Sequence, residues 1–126
     1  MDKKILITGL VFGLLSVIFG AFGAHLLKKH LTADQLISFE TGVKYMMYHG
    51  LFLIGVSNFS FLNQNQVIYY LILIGIIFFS GSILLLSTST FTGWSVKFLG
   101  PITPIGGLLL IAGWLYTIIK VIKIND

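Results

Sequence analysis

The stretch Val67–Ser87 reads VIYYLILIGIIFFSGSILLLS and carries no charge from end to end. A helix that crosses the hydrocarbon core of a bilayer needs about 20 mainly apolar residues. A half-buried strand would alternate apolar with polar and stop sooner. The run therefore reads as a membrane-spanning helix, and the same reading extends outward from it. Ile5–Leu27 is a long apolar run behind Met1-Asp2-Lys3-Lys4, and a further run reaches from Pro104 to Ile122. Tyr45–Leu62 continues the pattern between them. The expected spans are residues 5–27, 43–62, 67–87 and 104–122. The expected fold class is all-α: a polytopic membrane protein, one domain over 1–126, built as a four-transmembrane-helix bundle with a short amphipathic interfacial segment between spans one and two.

Composition supports this reading. Of 126 residues, 56% are hydrophobic and 10% are charged, with a mean hydropathy of +0.99. Soluble domains carry roughly 25% charged residues, and one this small could not hide so much apolar surface. A soluble enzyme, a disordered chain and a secreted disulfide scaffold are excluded. Cysteine is absent, so disulfides, thiolate metal sites and cysteine nucleophiles are excluded too. The first run resembles a secretory signal, with Ala21-Phe22-Gly23 as a cleavage site, but it is long for one and reads as a retained span. The net charge of +4 comes from eight lysines, with no arginine. They are scattered, mostly at span ends, which suits headgroup anchoring and gives no nucleic-acid patch.

The connections carry recognisable signals. Thr32-Ala33-Asp34-Gln35 matches a capping box and predicts a helix start. That helix is amphipathic to about Lys44, bends near Gly42 or Gly50 or not at all, and then becomes span two. Asn63-Gln64-Asn65-Gln66 is a short uncharged polar turn. Ser87–Trp94 is a polar connection with an interfacial tryptophan. Thr103 is the expected N-cap of span four, with Pro104 at its first position. Four spans put both termini on one side. Their lysines (Lys3, Lys4, Lys120 and Lys123) directly flank spans, whereas Lys28, Lys29 and Lys97 on the opposite side, with Lys44 near that surface, are partly offset by Asp34 and Glu40. The expected location is the bacterial plasma membrane with cytoplasmic termini.

Small residues mark packing surfaces. Gly9, Gly13, Ser16, Gly20 and Ala24 form a stripe along span one. Gly75 and Gly81 lie in span three, and Gly106, Gly107 and Gly113 in span four. Small residues let helix backbones approach closely in lipid. Packing inside one bundle and assembly of a homo-oligomer both fit such stripes.

Ionisable residues inside spans are costly and mark candidate sites. His25, Glu40, Lys44, Tyr45 and His49 fall near one membrane surface. They could form a ligand or headgroup pocket, a proton path, or a purely structural set of hydrogen bonds. Metal is disfavoured because there is no HxxxH, HExxH or cysteine partner. Ser80, Ser82 and Thr103 are the remaining polar candidates. Ser80-Gly81-Ser82 implies no histidine–acid partner, so no serine nucleophile is read.

Taken in order, Gly20-Ala21-Phe22-Gly23-Ala24-His25, Tyr45 with His49, Phe79-Ser80-Gly81-Ser82, Thr103-Pro104-Ile105-Gly106-Gly107 and Ala112-Gly113-Trp114 form a recognisable series. The series resembles the YgdD/YwdK-type family of small bacterial membrane proteins, a domain-of-unknown-function family related to an animal mitochondrial transmembrane protein. The resemblance covers nearly the whole chain. It implies a four-span protein of the bacterial plasma or inner membrane with no established biochemical activity. The family often has glutamine after the first tyrosine of the span-two motif; Met46 stands there in this chain. The matching polar positions are His25, Tyr45, His49, Ser80, Ser82 and Thr103, and the resemblance carries no catalytic role onto them; no cofactor is expected.

Two functions compete at this level. One is a non-enzymatic protein that supports membrane integrity or organisation through helix packing, self-association and lipid contact. The other is a small transporter, channel or ligand-binding protein using the His/Tyr/Glu/Lys cluster, with an accessory subunit of a membrane complex as a third form. The expected partners are membrane lipids, further copies of the chain or another membrane protein, and no nucleic acid.

Overall fold

The computed structural model describes residues 1–125, and no strand occurs among the described residues. Four long helices dominate: α1, Lys3–Leu27; α2, Ala33–Ser57; α3, Val67–Ser87; and α4, Ile102–Ile122. Three stretches are long and apolar enough to cross a membrane: α1, α3, and the run Lys97–Ile122 that ends in α4. Helix α2 is not among them, because Asp34, Glu40, Lys44 and His49 dilute its apolar residues.

Helix α2 starts where the sequence predicts and ends earlier than expected. The amphipathic segment and span two are one continuous 25-residue helix, started by the Thr32 capping box with Gln35. It stops at Ser57, well before Leu62. Asn58 and Asn63 explain the stop: the Asn58 amide donates to the Ile54 carbonyl, and the Asn63 amide donates to those of Val56 and Ser57. Side-chain amides thus satisfy carbonyls at the helix end, which would otherwise lack partners. Phe59 is extended, and Ser60–Asn63 forms a separate short turn of helix.

Thr103 also departs from expectation. Helix α4 starts at Ile102 behind Pro101, with no side-chain cap. The Thr103 hydroxyl, on the second residue of the helix, pairs with the Ser82 hydroxyl of α3. The hydroxyl thus links α3 to α4 instead of capping the helix start.

The seams are set by glycine. A Cβ on Gly9 would lie 2.6 Å from the Gly50 carbonyl oxygen, so α1 and α2 touch backbone to backbone. A Cβ on Gly106 would collide with the Phe79 backbone nitrogen, and one on Gly75 would lie 2.7 Å from Leu110 Cδ2, which fixes α3 against α4. The core between the helices is built on Ile5, Leu53, Ile68, Ile72 and Ile76. The outward faces stay apolar: Leu108 is 66% exposed and Ile111 64%. Apolar surface on that scale is unstable in water and ordinary in lipid.

Two π turns interrupt the helices, Phe19–Gly23 in α1 and Ile77–Gly81 in α3. A π turn adds a residue to one helical turn and re-aims the helix beyond it; such turns recur at functional sites.

One end of the bundle gathers the chain start, the 63–66 turn and the end of α4. Asp2 caps α1 by accepting from the Ile5 N–H and also accepts from the Gln66 amide. Gln66 accepts from Lys4 and adopts φ 58°, the left-handed region. The Asn65 amide donates to the Tyr116 hydroxyl. The other end holds the 28–32 loop, the start of α2, the short helix Ser89–Thr92 and the turn Lys97–Leu99.

Candidate functional site

Helix geometry places Tyr45 and His49 one turn apart on α2, and the two rings stack at 6.1 Å. His49 is 4% exposed. Its Nδ1–H donates to the Tyr45 carbonyl at 2.7 Å, and its Nε2 accepts from the Trp114 indole N–H of α4 at 3.0 Å. The two bonds together fix the Nδ1–H tautomer and use both ring nitrogens. Phe52 packs on the same indole at 4.4 Å, and Tyr45 rests on Phe79 of α3 at 4.9 Å. The histidine is therefore an anchor between α2 and α4, enclosed by aromatic rings.

The remaining candidates separate from it. His25, Glu40 and Lys44 are exposed, and none bonds an already occupied His49 nitrogen. Ser82 bonds Thr103 and the Phe78 and Phe79 carbonyls. Ser80 is fully buried in the α3 π turn, and its hydroxyl has no partner. Among the described residues, no three histidines or acids gather in a way that could hold a metal ion.

The glycines divide as well. Gly9, Gly75, Gly106 and Gly113 sit in tight seams; a Cβ on Gly13 or Gly81 would meet nothing within 4 Å. Gly20 faces Val43, and Gly107 faces the Phe79 ring at ordinary contact distance or slightly inside it. Ser16 is buried and bonds its own helix at the Phe12 carbonyl, and Ala24 packs against the small cluster around Leu31, Phe39 and Val43.

Two features escape a reading of the sequence. Trp114 is the indole partner of His49, whereas the sequence marks it only as part of the Ala112-Gly113-Trp114 motif. The second is a groove of about 550 Å³ at the end of the bundle that holds the 28–32 loop, walled by the α1 π turn, Phe39 of α2, the end of α3 and Phe91. Only the run Leu26-Leu27-Lys28-Lys29-His30, apolar then basic, could have signalled it.

Sealed glycine seams, apolar outer faces and three helices of membrane-crossing length define a small all-helical membrane protein. The model of the family described as "Protein of unknown function (DUF423)" matches residues 19–107, and the chain belongs to that family. A UPF0382 membrane protein of Staphylococcus haemolyticus is 42% identical over 123 residues, covering 96% of this chain and 97% of the relative. The UPF0382 membrane protein YwdK of Bacillus subtilis is 35% identical, covering 96% and 98%. The UPF0382 inner membrane protein YgdD of Escherichia coli K12 is 29% identical, covering 98% and 93%. The YgdD/YwdK resemblance drawn from the sequence motifs is thereby established. No solved structure matches the chain.

Proposed function

We propose that the chain is a non-catalytic, four-span protein of the bacterial plasma membrane that supports membrane integrity and organisation through helix packing, self-association and lipid contact. Helix α2 is the fourth span, and both termini lie in the cytoplasm. The observation that carries this reading is the closure of His49. It is the only buried histidine, lysine or acid among the described residues, and both its nitrogens are consumed by internal bonds. A transport path needs polar groups free to exchange partners with a passing solute. Here the His49–Trp114 hydrogen bond ties α2 to α4. Self-association draws support from Gly13 and Gly81, whose open surroundings leave room for the close approach of another helix.

A deletion strain tests the proposal. Loss of the chain should raise permeability to small dyes and lower tolerance of membrane stress, and the His49→Phe chain should restore both. An unaltered barrier, membrane potential and stress tolerance in the deletion strain would overturn it. The ligand-binding reading is favoured by one observation, the groove, and takes the form of lipid binding.

A further inference from the structure

We infer that the groove at the end of α1 holds one acyl chain of an anionic phospholipid, with the lipid phosphate taken by the Lys28-Lys29-His30 loop. This rests on the lipid-contact part of the reading above and names the lipid class and its place.

The walls decide the hydrophobic half. Phe19, Leu26, Leu27, Phe39, Leu84 and Phe91 present carbon to the interior. The lining hydroxyls are already engaged: Thr88 donates to the Leu84 carbonyl, and Thr92 donates to that of Ser89 while accepting from the Trp94 N–H. The occupant of the groove therefore needs no hydrogen bonds. A volume of about 550 Å³ falls inside the roughly 300–1,000 Å³ of small-molecule sites. The groove is also built and held. Gly23 lets the Phe39 ring approach to within 3.2 Å of where a Cβ would stand. The Phe91 wall is fixed by its contact with the His30 ring at 4.8 Å and by the Gln35 amide bonded to Thr90 Oγ1.

Charge decides the polar half. Leu26, Leu27 and His30 line the groove, and Lys28 and Lys29, both exposed, occupy the two chain positions between Leu27 and His30. Among the described residues no acidic side chain lines it; Asp34 lines a different pocket with Ser38 and Ile83. A hydrocarbon slot bordered by a loop that carries two exposed lysines complements an anionic headgroup with its chain attached. Zwitterionic lipid meets the same slot without the charge match.

The test uses the full chain in vesicles of equal phosphatidylglycerol and phosphatidylcholine with identical acyl chains. Gentle detergent extraction and native mass spectrometry then count retained lipid. The expected result is one phosphatidylglycerol per chain, retained at least fivefold over phosphatidylcholine. Lys28→Gln with Lys29→Gln should erase that preference, while Lys120→Gln with Lys123→Gln, which removes the same charge at the other end, should not. Leu85→Trp, which fills the groove, should abolish retention; Leu108→Trp on the outer face of α4 should leave it intact. Equal retention of the two lipids by the unaltered chain, or equal effects of the two lysine pairs, would overturn the inference. The loop substitutions are exposed and do not depend on Leu85→Trp folding. A deletion phenotype with no lipid preference would refute the groove alone. A lipid preference with no phenotype would refute the integrity role alone.

Discussion

At the scale of single residues, the Trp114 indole and the His49 imidazole hold α2 to α4 by one hydrogen bond inside an aromatic shell. His49→Phe keeps the packing and leaves the indole N–H unpaired. Interhelical hydrogen bonds in membranes contribute about 0.6 kcal/mol on average and up to about 1.7 kcal/mol. Reversible unfolding in mixed micelles should show a loss in that range. A double-mutant cycle with Trp114→Phe should show the two losses to be non-additive, and strict additivity would rule the bond out. The sequence made His49 and Tyr45 legible as a pair, because a one-turn spacing puts them together whatever the tertiary fold. It could not show that His25, Glu40 and Lys44 stay outside. Helix α2 buries the stripe of Phe39, Gly42, Val43, Met46, His49, Gly50 and Leu53, and Glu40 and Lys44 fall off that stripe. Nor could it supply Trp114, which is 65 positions away and becomes a partner only when α4 crosses α2.

At the scale of elements, glycine position separates seams from outer faces. Gly9→Leu and Gly106→Leu drive a side chain into the backbone of a neighbouring helix. Each should cost at least the roughly 1–3 kcal/mol typical of overpacking, because backbone cannot move aside as a side chain can. Gly13→Leu should leave monomer stability unchanged, since its Cβ meets nothing within 4 Å. Thermal unfolding in detergent checks all three, and equal destabilisation by Gly13→Leu would contradict the seam assignment. In the sequence the stripe from Gly9 to Ala24 looks uniform. The structure gives its members different neighbours: Gly9 meets the Gly50 backbone, Gly13 meets nothing within 4 Å, Gly20 meets Val43, and the stripe passes through a π turn at Phe19–Gly23. Helix identity, helix order and the Thr32 capping box were legible, since apolar run length and local cap chemistry specify them. The end of α2 at Ser57 was not, because it depends on the Asn63 amide folding back on carbonyls six and seven residues earlier.

At the scale of the whole molecule, the chain is apolar outward, sealed along its glycine seams and polar at its ends. One end is tied by Asp2, Gln66, Asn65 and Tyr116; the other carries the groove and its lysines. Such a body meets lipid with most of its surface. In the proposed four-span arrangement α2 crosses the bilayer with the other three helices despite Lys44 and His49. The chain has no cysteine, so single cysteines can be introduced without background labelling. The most direct measurement compares Gln64→Cys with Lys29→Cys, at opposite ends of α2, using a membrane-impermeant maleimide on intact and on permeabilised cells. With four spans and cytoplasmic termini, Lys29→Cys labels in intact cells and Gln64→Cys labels only after permeabilisation. Labelling of both positions from the same side would place α2 along the membrane surface and contradict the four-span account.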